Sequence, residues 1–209
     1  MNSVNLETLR SDLELSDSRV QDIQSRLNAP RKGVERTGLH GHLRILGVSK
    51  DRTWVICDDH NLVTNTGYFV MSSLWGGPSA PETYDTMRPR RIGIGTGTEA
   101  SPTVTMTRLK MSGTPYTQLP TYIANTDQSV LISQSGAVRG VRLEMLVPNG
   151  DGLSPYNGVT LTEAGLFTAS YAGGDTGAGG MIAYKTYPSI TKTDQFSLLY
   201  QWQFIWSAA

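Results

Sequence analysis

The strongest constraint on this chain is its C-terminal run, FSLLYQWQFIW, Phe196 to Trp206. Phe196, Leu198, Tyr200, Trp202, Phe204 and Trp206 fall at every second position, with Ser197, Gln201 and Gln203 between them. A period of two is the period of a β-strand, whose successive side chains point to opposite faces; on a helix these six would scatter around the axis. A strand with so large an apolar face must be covered by a second layer. The expectation is the inner face of a β-sandwich. The competing reading is a flat aromatic platform on which sugar rings stack.

The rest of the chain from Leu39 agrees with a mainly β fold. There are 22 Gly and 10 Pro among the 209 residues, a composition suited to many turns. LRILGVSKDRTWVICDDHN reads as a hairpin turning at Lys50-Asp51-Arg52, with DDHN as turn chemistry at its far end. RRIGIGTGT, AVRGVRLEMLV, VTLTEAGLFTASY and MIAYKTYPSITKT read as further strands. LVTNTGYFVMSSLWGG is one short helical interruption. Thr64, Asn65 or Thr66 caps it, Phe69, Val70 and Leu74 form its apolar stripe, and Gly76-Gly77 ends it. PSAPETYDTMRPRR and AGGDTGAGG read as loops.

The N-terminus is different. Leu6, Leu13, Val20 and Leu27 recur every seven residues, with Leu9 and Ile23 at the complementary offset and Ser16 as the one polar position of that second set. This predicts an amphipathic helix that Ala29-Pro30 terminates. The seam has two readings. In the first, Leu6, Leu9, Leu13, Val20, Ile23 and Leu27 mediate self-association or docking to a partner. In the second, the helix docks on its own domain. The expected organisation is a helical arm (a possible coiled coil) over 1–30, a polar and basic linker over 31–38, and a β-sandwich over 39–209.

Chemistry is sparse. The glycines of GIGTG, Gly93, Gly95 and Gly97, raise the question of a phosphate cradle, which requires a helix opening directly behind them. TEASPTVTMT follows instead, rich in β-branched residues, so the glycines read as a strand end closely approached by other groups. His40, His42 and His60 are the only histidines; with Asp58 they suggest a weak metal candidate, against which His40 and His42 read as solvent-facing. Cys57 is the single cysteine and reads as buried. Asp151, Glu163 and Asp175 read as solvated loop carboxylates rather than a glycosidase pair. Arg88, Arg90 and Arg91 read as a surface patch. Lys plus Arg equals Asp plus Glu at 18 each, without the basic field of a nucleic-acid binder. The N-terminus lacks the apolar core of a signal peptide, and no apolar run is long enough for a membrane span. The expectation is therefore no enzyme activity, cofactor, metal, nucleic acid, membrane or small-molecule substrate.

Three phrases taken in order carry a resemblance: NLVTNTGYFVMSSLWGG, RRIGIGTGTEASPTVTMTRL, and TLTEAGLFTA followed by MIAYKTYPSITKTDQFSLLYQWQFIW. The set is similar to small virion structural proteins of tailed bacteriophages, which run from an asparagine-led helix entry through I-G-x-G-T to T-E-A-G-L-F and F/Y-P-x-I-T-K. It covers roughly Asn61 to Trp206; the N-terminal heptads and the stretch from Gly77 to Met87 lie outside it. The resemblance implies a β-sandwich used in assembly, with no catalytic residues to carry over, and the three- and six-fold symmetry common among such proteins implies a trimer for the homo-oligomer. It leads to a non-enzymatic component of a virion put together in the host cytoplasm. The role is a tail, baseplate or fibre-anchoring protein, with a capsid decoration protein as the alternative. A glycan-binding or glycan-cleaving module is the more distant alternative.

Overall fold

The computed structural model describes residues 4–28, 38–76, 89–106, 109, 122–125, 138–150, 156–168 and 180–207. In chain order the elements are α1 (Val4–Leu13), α2 (Asp17–Asn28), β1 (Gly38–Val48), β2 (Thr53–His60), β3 (Leu62–Val63), α3 (Asn65–Gly76), β4 (Pro89–Gly95), β5 (Tyr122–Asn125), β6 (Val138–Val147), β7 (Thr160–Thr168), β8 (Met181–Thr191) and β9 (Ser197–Ser207). The fold is mainly β, with two antiparallel sheets, an N-terminal helical segment and one short internal helix, consistent with a β-sandwich. Contacts divide the chain into two compact units, the first Met1–His60, Asp127–Val159 and Ile190–Ala209, the second Asn61–Thr126 and Thr160–Ser189. The helical segment belongs to the first unit rather than standing apart as an arm. Of the expected linker over 31–38, all but Gly38 lies outside the described residues.

The first unit is built on a four-stranded sheet in the order β2-β1-β9-β6. Its register places Trp202 opposite Leu43 and Leu143, and Tyr200 opposite Ile45 and Met145. All six are buried, as are Leu198 and Phe204. The aromatic face of β9 is therefore core, as its periodicity predicts; the Trp206 side chain lies outside the described residues. The hairpin from β1 to β2 turns at Ser49–Arg52, where the Ser49 amide donates to the Arg52 carbonyl at 2.9 Å. DDHN is not its end turn, because β2 continues to His60.

The opposite face of this sheet is interior as well. Ser197, Leu199 and Gln201 alternate with the aromatics yet are buried too. The cause is a cover of helices: Leu6, Leu9, Leu13, Leu15, Val20, Ile23 and Leu27 pack with Leu46, Val48 and Leu199 in one apolar cluster, with Leu146 against it. The cover is also two helices rather than one. Glu14 takes a left-handed φ of 50°, the Leu15 amide reaches the Arg10 carbonyl at 3.0 Å, and the Glu14 amide reaches Ser11 at 3.4 Å. That is the Schellman arrangement, with Leu15 folding back into the core. Ser16, the polar heptad position, is where the turn falls; its carbonyl starts α2 by accepting from Arg19 and Val20.

The second unit holds the order β3-β8-β7-β4-β5. Leu109, Phe167, Met181 and Tyr184 form its described core cluster, with Met106 against it. β5 pairs antiparallel with β4 at the edge of this sheet. In α3 the cap is Thr64, whose Oγ1 accepts from the Gly67 amide at 3.2 Å. Val70 is buried, but Phe69 is 58% exposed, so it belongs to no buried stripe. The Leu74 side chain lies outside the described residues.

Candidate functional site

The six seam residues are all in one place. Leu6, Leu9, Leu13, Val20, Ile23 and Leu27 are between 0% and 7% exposed, and their partners are strands of the same chain. In this arrangement the seam is spent on its own sheet, as the second reading of the heptads requires, and it offers no free face for a coiled coil.

The helices cover a sheet face that is half apolar and half charged. Leu46 and Leu199 form an apolar rung; one step on, Asp58, Arg44, Gln201 and Glu144 are direct neighbours across all four strands. Beyond them lie His60, His42, Gln203 and Arg142. Arg44 holds Asp58 through two hydrogen bonds, Nε to Oδ1 at 3.1 Å and Nη2 to Oδ2 at 2.8 Å. Its Nη1 donates to the carbonyls of Arg26 and Leu27, the latter at 3.1 Å. These are orphan acceptors at the end of α2, where a cation also meets the negative end of the helix dipole. Arg142 donates to Asn28 Oδ1 at 2.7 Å. Its Nε lies 3.1 Å from Glu144 Oε1, an ion pair not aligned as a hydrogen bond. Gln201 donates to the same Oε1 at 3.1 Å. Burial pulls the Arg142 guanidinium below its usual value, and Glu144 pulls the other way. The buried charges thus fasten the helical cover at one end.

In the second unit the glycines of GIGTG meet the carboxylate of TEAGLF. Glu163 Oε1 accepts from the Gly97 amide at 3.1 Å, and Oε2 accepts from the Tyr184 hydroxyl at 2.8 Å. Thr162 Oγ1 donates to the Gly97 carbonyl at 2.5 Å. A Cβ on Gly95 would lie 2.6 Å from Glu163 Oε1, so that glycine is required by close approach. Glu163 is fully buried on β7, which corrects its reading as a solvated loop carboxylate. A carboxylate occupies the place where a phosphate cradle would need an anion. Tyr184 stays protonated: burial raises its pKa most, and the Glu163 charge adds to that.

The remaining candidates are structural as well. His42 is 3% exposed, not solvent-facing; its ring meets His60 edge-on at 5.3 Å, and its Nδ1 is 3.5 Å from Asp58 Oδ1. Among the described residues no group of three His, Cys, Asp or Glu side chains is placed to hold a metal. Cys57 is buried, as expected, with its thiol toward the Leu43 carbonyl. Lys192 escaped sequence reading. It is fully buried, donates to Asn157 Oδ1 at 3.2 Å and to the Thr193 carbonyl, and sits 5.3 Å from the centre of the Phe196 ring. Burial lowers its amine to about 8, with Asp194 opposing the shift. Asp151, Asp175 and Arg88 lie outside the described residues, as do the side chains of His40 and Arg90; Arg91 is half-buried in β4. A groove of about 450 Å³ between α1 and α2 is lined by Arg10, Asp17, Val20, Gln21, Gln24 and Ser25. No described helix is long and apolar enough to cross a membrane.

Among the described residues four large apolar side chains stay exposed, Val55 of β2 at 51% being one of them. Tyr68 is 54% and Phe69 58% exposed on α3, with Val104 at 41%. Val104 is close by in the chain path, since its carbonyl accepts from the Asn65 amide at 2.7 Å. No protein-family model matches the sequence, and no curated protein or solved structure matches it either.

Proposed function

We propose that this protein is a non-enzymatic building block of a tailed-bacteriophage virion, acting as a tail, baseplate or fibre-anchoring assembly protein. The supporting observation is how the phrases of the resemblance are bonded. Thr64, from the first, donates through Oγ1 to the carbonyls of Met181 and Ile182 in the last, and the Thr64 amide donates to Ile182 at 2.9 Å. Gly97, from the second, is held by Thr162 and Glu163 of TLTEAGLF. Residues far apart in the chain thus belong to one structural unit, as they would if the ordered phrases were the signature of a fold. The groups best suited to acid–base work, Glu163, Glu144 and Lys192, are each committed to the interior, which suits a scaffold better than a turnover site.

In this reading its partners are other virion proteins and further copies of itself, and its location is the particle. The experiment is to isolate virions from the source of the sequence, detect the chain by peptide mass spectrometry, and locate it with gold-labelled antibody. Label at the tail or its end is expected. Label over the head assigns the decoration role, and a chain missing from particles overturns the proposal.

A further inference from the structure

With the heptad seam buried, any self-association must use another surface, and the described residues offer one with an unusual property. From Asn61 to Pro81 the sequence contains no Asp, Glu, Lys or Arg, in a chain that is 17% charged. α3 lies inside this stretch and exposes Asn65, Tyr68, Phe69 and Ser72. Beside its first turn, Ala100 to Thr105 are all exposed and all uncharged. The nearest charge in that segment, Glu99, is half-buried, and its carboxylate accepts from the Ser101 amide at 3.3 Å. A helix without charges on any side is normally a buried helix. Here two adjacent aromatic side chains are more than half exposed.

Charge decides the occupant. Around a symmetry axis each residue near the axis meets its own copy, so a single ionised side chain there faces a like charge and loses its water as well. A heterologous partner imposes no such rule, because its surface can supply the opposite sign. A surface emptied of charge while the rest of the chain keeps it is the pattern a self-contact selects, and exposed aromatics are what interface cores are enriched in.

We propose that α3, through Tyr68 and Phe69 with Val104 beside them, is the surface by which this chain meets a second copy of itself around a symmetry axis. This deepens the assembly reading by naming the self-contact, and it is tested apart from any particle. Solution mass by light scattering is measured for the full chain and for Phe69→Glu, Phe69→Lys and Tyr68→Glu. Both positions are exposed, so each variant should keep the circular dichroism spectrum and a cooperative melt, at a temperature lowered only by the loss of association. The expected result is an oligomer for the unchanged chain and the mass of one chain for each variant. A monomeric unchanged chain, or folded variants that keep its oligomeric mass, would each overturn the inference. None of these results bears on whether the chain is found in virions.

Discussion

Arg44 of β1 and Leu27 at the end of α2 are joined by a buried hydrogen bond, Nη1 to carbonyl oxygen at 3.1 Å. One guanidinium thereby ties the last turn of the helical cover to the second strand of the sheet, while its other nitrogens hold Asp58. The cover is fastened by apolar packing along its length and by charge at one end.

Arg44→Leu should therefore cost more than a surface ion pair. It leaves two helix-end carbonyls without this donor and takes the guanidinium away from Asp58. Because Asp58 keeps 32% of its side-chain exposure, water offsets part of the loss. The expected destabilisation is about 2–3 kcal/mol by chemical denaturation. Adding Asp58→Asn should recover part of it, which a double-mutant cycle reads directly.

The clasp between β4 and β7 predicts a steric and a polar effect. Gly95→Ala drives a methyl group against the Glu163 carboxylate and should cost roughly 1–3 kcal/mol. Tyr184→Phe leaves Glu163 Oε2 without that donor and should cost about 1–3 kcal/mol. Thermal melts of the two variants check both; an unchanged Gly95→Ala melt would mean that the close approach is not what requires glycine there.

Lys192 predicts a pH dependence. Its amine is lowered to about 8 in the folded chain from an ordinary 10.5, so between those values the unfolded chain binds more protons. Stability attributable to this residue should rise with pH across that window and be lost as pH falls through about 8. Against a Lys192→Met variant, the unchanged chain should gain stability between pH 8 and 10.5. A flat difference would show that the amine is not shifted.

Trp202 is fully buried, between Leu43 and Leu143 in the register. Trp202→Ala should cost about 3–5 kcal/mol. A folded variant with an unchanged melting temperature would return the aromatic face to the platform reading.

The strands were legible because period two survives any context: β9 carries its core face openly in Trp202 and Tyr200. The second buried face was not. Ser197, Gln201, Arg142 and Glu144 look like solvent residues, and only the helices laid over them make them interior. The heptad residues were found but their partner was ambiguous, since an apolar stripe reads the same against a second helix or a sheet. The break at Ser16 left a trace in the polar heptad position, but the left-handed Glu14 that makes the turn is not a residue type that announces one. Glu163 was misread because a lone carboxylate looks solvated, and the glycines that make room for it, Gly95 and Gly97, come from a distant part of the chain. His42 was placed in solvent because it stands near the start of a strand beside the polar linker, whereas β2 and β9 flank it on both sides and it is buried.

The central structural claim is that residues 4–28 are part of the first unit's core rather than a free oligomerising arm. The direct measurement is the thermal unfolding and solution mass of a chain beginning at Gly33, beside those of the full chain. Removing the cover exposes Leu46, Val48 and Leu199 together with the buried charges of Arg44, Arg142 and Glu144. The shortened chain should lose its cooperative transition. A shortened chain that melts like the full one, and differs only by falling to the mass of a monomer, would contradict the claim and restore the helices as the assembly arm.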